Sequence, residues 1–317
     1  MAQQDAKTEA KKAVESLWKL GGLTPIQLAR RVGNEFNEDD ISGRSAELAY
    51  YFFLAIFPAL LMMVTLLGFF SGPGTAIQNA MLQQFGRMLP GSASELIGKT
   101  LNEVHRNAGG LKVAIGLLGA LWSASAGVVA ISDVLNICYE VKETRGFIKR
   151  RAVMVVLTIA LAVLVLAAVT VILYGGTIAQ TVGNHVGLSG PAVLAWRIIQ
   201  WPLAFILMSI AFAAVYYVAP NLDEPEWYWI TPGSVIGFLL WIAASVVLRL
   251  YLHYFNSYSA TYGSLGAVII LMLWFYLTGM AILLGGEVNS EIGHAQKARE
   301  KHHERLRRAG VDLQEAA

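Results

Sequence analysis

From Leu265 to Leu284 the chain carries no charged residue, and Glu287 follows three residues later. At about 1.5 Å per residue, about 20 residues of helix cross a hydrocarbon core of about 30 Å. Lipid offers no hydrogen bonds, so a backbone inside it must pair with itself, which predicts a membrane-spanning helix here. Just before the stretch, Tyr258 and Tyr262 bring amphipathic rings to the lipid–water boundary, where they are favoured.

The whole chain shares this character. It is 56% hydrophobic and only 15% charged, against about 25% charged residues in soluble domains, which excludes an ordinary soluble fold. A net charge of +2 leaves no electrostatic footprint for nucleic acid, so no nucleic-acid partner is expected. The single cysteine, Cys138, excludes an intramolecular disulfide and a zinc site of the multi-cysteine kind. Cys138 sits in an apolar run and reads as a small core residue, so neither a metal nor a cofactor is expected.

In chain order, residues 1–44 form a basic lead-in with Lys7, Lys11, Lys12, Lys19, Arg30, Arg31 and Arg44. It lacks the apolar core of a secretory signal peptide. Thr24-Pro25 reads as a helix start, with Leu28, Ala29, Val32 and Phe36 on one face of an amphipathic helix lying on the membrane surface. Six spans follow, near 46–70, 111–139, 152–174, 192–219, 231–255 and 265–284. Pro58 interrupts the first, and the small residues Ser123 to Gly127 in the second allow close helix approach. The third is almost purely aliphatic and is expected to face lipid. Residues 72–110 read as an outer hairpin of two amphipathic helices that turn at Pro90-Gly91, and 293–317 as a charged helical tail. The predicted fold is all-α: one polytopic membrane domain over 1–317, with a six-helix bundle in 45–292, interfacial amphipathic helices and a small outer cap.

The lead-in, the turn with Lys142, Arg145, Lys149, Arg150 and Arg151, and the tail hold most of the 24 lysines and arginines. Six spans put all three on one side, while the loops near 177–191 and 256–262 carry none. The positive-inside rule therefore predicts cytoplasmic termini in a bacterial inner membrane, with the basic segments against anionic lipid head groups.

Three stretches carry a family resemblance: GRSAELAYYFFLAIFPALLMMVTLLG (43–68), LWSASAGVVAISDVLNICYEVKETRGFIKRR (121–151) and YGSLGAVIILMLWFYLTGMAILLGGEVNSEI (262–292). With Leu135-Asn136, Arg145, Tyr262-Gly263, Trp274 and Leu284-Gly285 before Glu287, they resemble the YihY/BrkB family of bacterial inner-membrane proteins over nearly the whole chain. The resemblance implies a six-span helical protein. The family has carried the labels ribonuclease BN and virulence factor BrkB, and transport is the activity usually suspected of it.

Ionisable groups at the centre of a span cost about 2.5–3.5 kcal/mol each on insertion scales, so each one needs a reason. Glu47 opens the first span, Asp133 and Asn136 lie near the end of the second, and Glu287 closes the last. One reading joins these four in a polar cavity, open to the cytoplasm, that binds a cation or proton coupled to a solute. The other makes Glu47 and Glu287 interfacial partners of Arg44 or Arg145. Arg249 and His253, four apart on one helical face, form a candidate polar pair toward the outer side.

No catalytic constellation emerges. Gly98-Lys99-Thr100 ends like a phosphate loop, but the earlier glycine it needs falls at Ala93, and the six histidines are scattered. The chain is therefore expected not to be an enzyme. It reads as a transporter-like protein for a small solute or an amphiphilic lipid precursor. A non-transporting envelope-assembly scaffold is the first alternative and a membrane-associated ribonuclease the second; an oligomer is compatible with any of them.

Overall fold

The computed structural model describes residues 17–71, 110–186, 189–222, 230–254 and 264–308. After a 3-10 turn at Leu20–Gly22 come α1 (Pro25–Glu38), α2 (Ile41–Ser71), α3 (Gly110–Cys138), α4 (Phe147–Val186), α5 (Ser189–Val218), α6 (Pro232–Tyr254) and α7 (Ser264–Arg308). There is no strand among the described residues, and the protein is an all-α polytopic membrane protein. Five helices contain segments long and apolar enough to cross a bilayer: 118–138, 147–172, 193–218, 232–254 and a stretch starting at Val268. The first expected span falls in the 31-residue α2, where Pro58 lies inside the helix as anticipated. The outer hairpin other than Gly110, and the polar stretch before the last span, lie outside the described residues.

Two boundaries differ from expectation. α4 runs for 40 residues, so the segment from Thr177 to Val186, read as loop for its polar residues, is helical. A helix satisfies its own amides, and polar side chains do not end it once it has formed. The charged tail is helical as expected, and as far as Arg308 it continues the last span without a break in one 45-residue α7, about 68 Å long.

α7 is the axis of the assembly. It packs along α6 and α2 and also meets α1 and α3, while α4 packs chiefly on α5. The close α6–α7 approach depends on missing side chains. A Cβ at Gly285 would run into the Tyr216 hydroxyl and lie 2.7 Å from the Gly233 carbonyl oxygen, so these glycines pack backbone against backbone. Tyr216 locks the seam by donating to the Ile282 carbonyl at 2.9 Å. Farther along, Trp241 donates to Thr278 at 3.1 Å and stands edge-on to Trp274, 6.0 Å between ring centroids. The core draws Leu48, Leu135, Met154, Phe212, Tyr216 and Leu283 from five helices. On α4, Val156 and Val163 stay exposed, as a lipid-facing helix requires.

α1 starts where the sequence places it. The Thr24 hydroxyl accepts from the Gln27 amide at 3.2 Å and the Gln27 side chain accepts from the Thr24 amide at 2.9 Å, a reciprocal cap with Pro25 at the first helical position. Its apolar side does not simply lie on the membrane, however. Leu28 packs with Val288 and Ile292 of α7, and Val32 joins them. Arg31 reinforces the contact with a 3.2 Å bridge to Glu291.

Candidate functional site

Polar groups converge at one end of the bundle, where α1, the α3–α4 turn, the end of α5 and the middle of α7 meet. They fall into two sets that share no hydrogen bond among the described residues.

Arg145 organises the first set. α3 closes with the Val141 amide donating to the Asn136 carbonyl and the Glu140 amide to the Ile137 carbonyl, both at 2.8 Å. This is a Schellman ending in which Glu140, at φ 52°, occupies the left-handed position that glycine usually fills. The reversal points Arg145 back into the bundle. Its guanidinium donates to the Val218 and Ala219 carbonyls at 3.2 and 2.8 Å, capping the exposed carbonyls at the end of α5, and to the Ser132 hydroxyl at 3.2 Å. Glu143 grips the same guanidinium at 2.8 and 2.7 Å, and this pairing holds its carboxyl down at about 2.

Asp133 and Asn136 belong here. Asn136 donates to Glu143 at 3.3 Å and accepts from the Asn221 amide at 2.7 Å, which meets the need of a buried amide. The Asp133 carboxylate is exposed and accepts from Arg150 at 2.6 Å, while Arg150 also approaches Glu143 at 3.3 Å. Every carboxylate in this set faces a guanidinium, so it is balanced in charge and ties α3, α4 and α5 together.

The second set surrounds Glu287, and it is not balanced. Asp39, Cys138 and Glu287 each bring one ligating atom to within 4.8 Å of the other two. Glu287 is 1% exposed and Cys138 is 3% exposed, and the Oε1 of Glu287 has no hydrogen-bond partner. None of the ion pairs among the described residues involves Asp39 or Glu287. A buried polar atom without a partner costs about 1–3 kcal/mol, and more when it is charged.

Local sequence explains the convergence. Asp40 takes a left-handed conformation at φ 49°, which aspartate tolerates better than most residues, and its carboxylate accepts from the Gly43 amide at 3.1 Å to cap α2. That turn places Asp39 at the junction of α1 and α2. Cys138 is the last residue of α3. Gly286 lets α7 come close enough to present Glu287, because a Cβ there would stand 2.6 Å from the Leu135 side chain. Beside Glu287, Asn289 fastens α7 to α6 by accepting from the Gly233 amide at 2.9 Å and donating to Thr231 at 3.0 Å.

The rim of this pocket is acidic. The carboxyl of Glu35 on α1 is pushed up first by its burial, then by Glu38, Glu291, Asp39 and Glu140. Such a field gathers cations and repels anions.

The structure thus divides the four residues expected in one cavity. Asp133 and Asn136 join the Arg145 network, and Glu287 lies in the other set. Glu47 is exposed on α2, with no hydrogen bond or ion pair joining it to either set among the described residues. Arg44 and Arg145, the alternative partners, turn instead to the Asp39 carbonyl, at 2.7 Å, and to Glu143. Arg249 and His253 line an open depression with Val246, Leu250 and Leu252. Cys138 is a buried core residue, as its apolar run predicts, but sequence reasoning missed Asp39 and the proximity of Cys138 to Glu287. The available signal was the acidic run Glu38-Asp39-Asp40 placed against the first span in an otherwise basic segment.

Comparison with known proteins agrees with the architecture. The family model described as "Virulence factor BrkB" matches residues 32–309. The chain is 37% identical over 254 residues to a Bacillus subtilis protein named ribonuclease-like protein YfkH, covering 80% of this chain and 90% of the relative. It is 28% identical over 283 residues to a UPF0761 membrane protein of Vibrio vulnificus, covering 86% and 84% of the two chains. No solved structure matches. With its helical membrane bundle and a family match over most of its length, the chain belongs to the BrkB family of membrane proteins.

Proposed function

We propose that this BrkB-family protein is a transporter-like protein of the bacterial inner membrane, both ends in the cytoplasm, that binds a small solute or an amphiphilic lipid precursor at its Glu287 end, with a proton or cation as the coupling ion. One observation carries the reading. A carboxylate that is 1% exposed, with an unpaired Oε1 and a second carboxylate close by, is kept at a cost that packing alone does not require. In membrane proteins such groups mark ion and substrate paths. The setting also supports it: Glu287 lies on the central helix, beside glycine-packed seams where small shifts of α6 against α7 would change its surroundings.

A ribonuclease activity, suggested by the name of the Bacillus subtilis relative, is not part of this proposal. The acidic rim formed with Glu35 and Glu38 opposes a phosphate backbone, whose binding calls for lysine and arginine. The scaffold reading draws on the first polar set, where paired charges and hydrogen bonds tie α3, α4 and α5 together.

Native mass spectrometry of gently purified protein tests the proposal, comparing wild type with Glu287→Gln and Asp133→Asn. The expected result is a discrete ligand on wild type and Asp133→Asn that is missing from Glu287→Gln. Bulk phospholipid alone, equal on all three, would sink the transport reading and favour a scaffold.

A further inference from the structure

We propose that Asp39, Cys138 and Glu287 form a binding site for one divalent transition-metal cation of the zinc class, with three protein ligands and one open coordination position. The inference rests on the reading that the Glu287 end binds a cation, and it names the class of that cation.

The donor set selects the metal. Magnesium and calcium take six or more oxygen ligands, whereas a thiolate beside two carboxylates suits a borderline cation such as zinc. Around tetrahedral zinc, bonds of about 2.0–2.3 Å place ligand atoms about 3.3–3.8 Å apart. The three atoms here already lie within 4.8 Å of one another, so small side-chain rotations complete the shell. The ligands come from the α1–α2 junction, the end of α3 and the middle of α7, which are three separately anchored elements.

Charge and hydrogen bonding point the same way. Two carboxylates, Glu287 buried and Asp39 half-buried, lie beside a buried thiol, and among the described residues no ion pair supplies Asp39 or Glu287 with a cationic partner. Like charges in a buried site call for a proton or a metal ion between them. Glu287 Oε1, buried and unpaired, is the group such an ion would engage. Glu35, which itself feels Glu38, Glu291, Asp39 and Glu140, adds negative potential beside the cluster, which raises the local concentration of cations. Three protein ligands and an open position are the arrangement in which zinc holds a water molecule or polarises a bound oxygen. That position is where water or a neutral oxygen donor of a solute would attach.

The test uses the full chain in lipid nanodiscs, stripped with chelator and titrated with Co²⁺ as a spectroscopic stand-in for zinc. The expected outcome is saturable binding of one Co²⁺ per chain with a thiolate-to-cobalt absorption band, bleached by Zn²⁺. Cys138→Ser should abolish the band, and Glu287→Gln should weaken binding by more than the about 10–100-fold typical of an outer-shell partner. Asp133→Asn should bind as wild type does. Gel filtration and melting without metal check that the variants fold, and Asp39→Asn provides an independent ligand change if Cys138→Ser does not. Absence of saturable binding, or binding that survives all three ligand changes, overturns the proposal and leaves a shared proton as the neutralising charge. The two readings fail separately: no Co²⁺ uptake with a Glu287-dependent solute in native mass spectra defeats only the metal site. Co²⁺ uptake without any bound solute defeats the transport reading instead.

Discussion

The Arg145 network and the Glu287 pocket lie at the same end of one bundle and treat buried charge in opposite ways. In the network, Glu143 meets Arg145 and Arg150, Asp133 meets Arg150, and Asn136 is bonded on both sides of its amide. In the pocket, Glu287 faces Asp39 and Cys138, and its Oε1 bonds to nothing. Paired charges fasten helices together, whereas a buried polar atom without a partner weakens the fold.

The largest effect should come from the network. Arg145→Ala strands Glu143 and uncaps the end of α5, and losing one partner of a buried pair costs about 3–5 kcal/mol. Thermal unfolding in detergent should show a large drop; a loss under about 1 kcal/mol would make the network incidental.

Acid should attack the same place. The carboxyl of Glu143 sits at about 2 in the fold against 4.5 for its ordinary value. A lowered carboxylate contributes stability that is whole above pH 4.5 and disappears as pH falls toward 2, to the extent of about 3 kcal/mol. Wild type should therefore lose more stability than Glu143→Gln between pH 5 and pH 2. Parallel curves for the two proteins would show that the pairing does not set this window.

Smaller still is the effect of seam geometry. Gly285→Ala places a Cβ against backbone atoms of α6 that cannot step aside, and overpacking of this kind costs about 1–3 kcal/mol. Unchanged melting would mean that the α6–α7 seam is looser than it looks. Glu140→Gly runs the other way, since glycine relieves the left-handed position at the α3 ending by about 1 kcal/mol. A destabilised Glu140→Gly variant would indicate that the glutamate side chain is needed at the acidic rim.

Much of the architecture is legible in the amino-acid sequence. Apolar runs locate the spans, and Thr24-Pro25 locates the start of α1, because each signal is local and repeats a backbone requirement. The end of α4 is not legible, since Thr177, Gln180, Thr181 and Asn184 look like loop residues although a helix needs no apolar side chain to continue. Of the site, Glu287 stands out as a charge at the end of an apolar run. Its neighbours do not: Asp39 and Cys138 are distant in sequence, and one chain alone does not say which helices touch. Arg145 stands out in the sequence only through the family resemblance and as a candidate partner of Glu47 or Glu287, not through its actual partners. What distinguishes it is the direction set by the α3 ending, which depends on the backbone conformation of Glu140.

If the Glu287 pocket exists for a ligand and the Arg145 network for the fold, binding and stability should be separable. Variable-temperature native mass spectrometry reads both properties in one sample, on wild type, Glu287→Gln and Arg145→Ala. Glu287→Gln should unfold within a few degrees of ligand-free wild type and carry no ligand, while Arg145→Ala should unfold much earlier yet hold the wild-type ligand below its transition. The opposite pattern, with ligand retained by Glu287→Gln and lost from a thermally intact Arg145→Ala, would refute that division of roles.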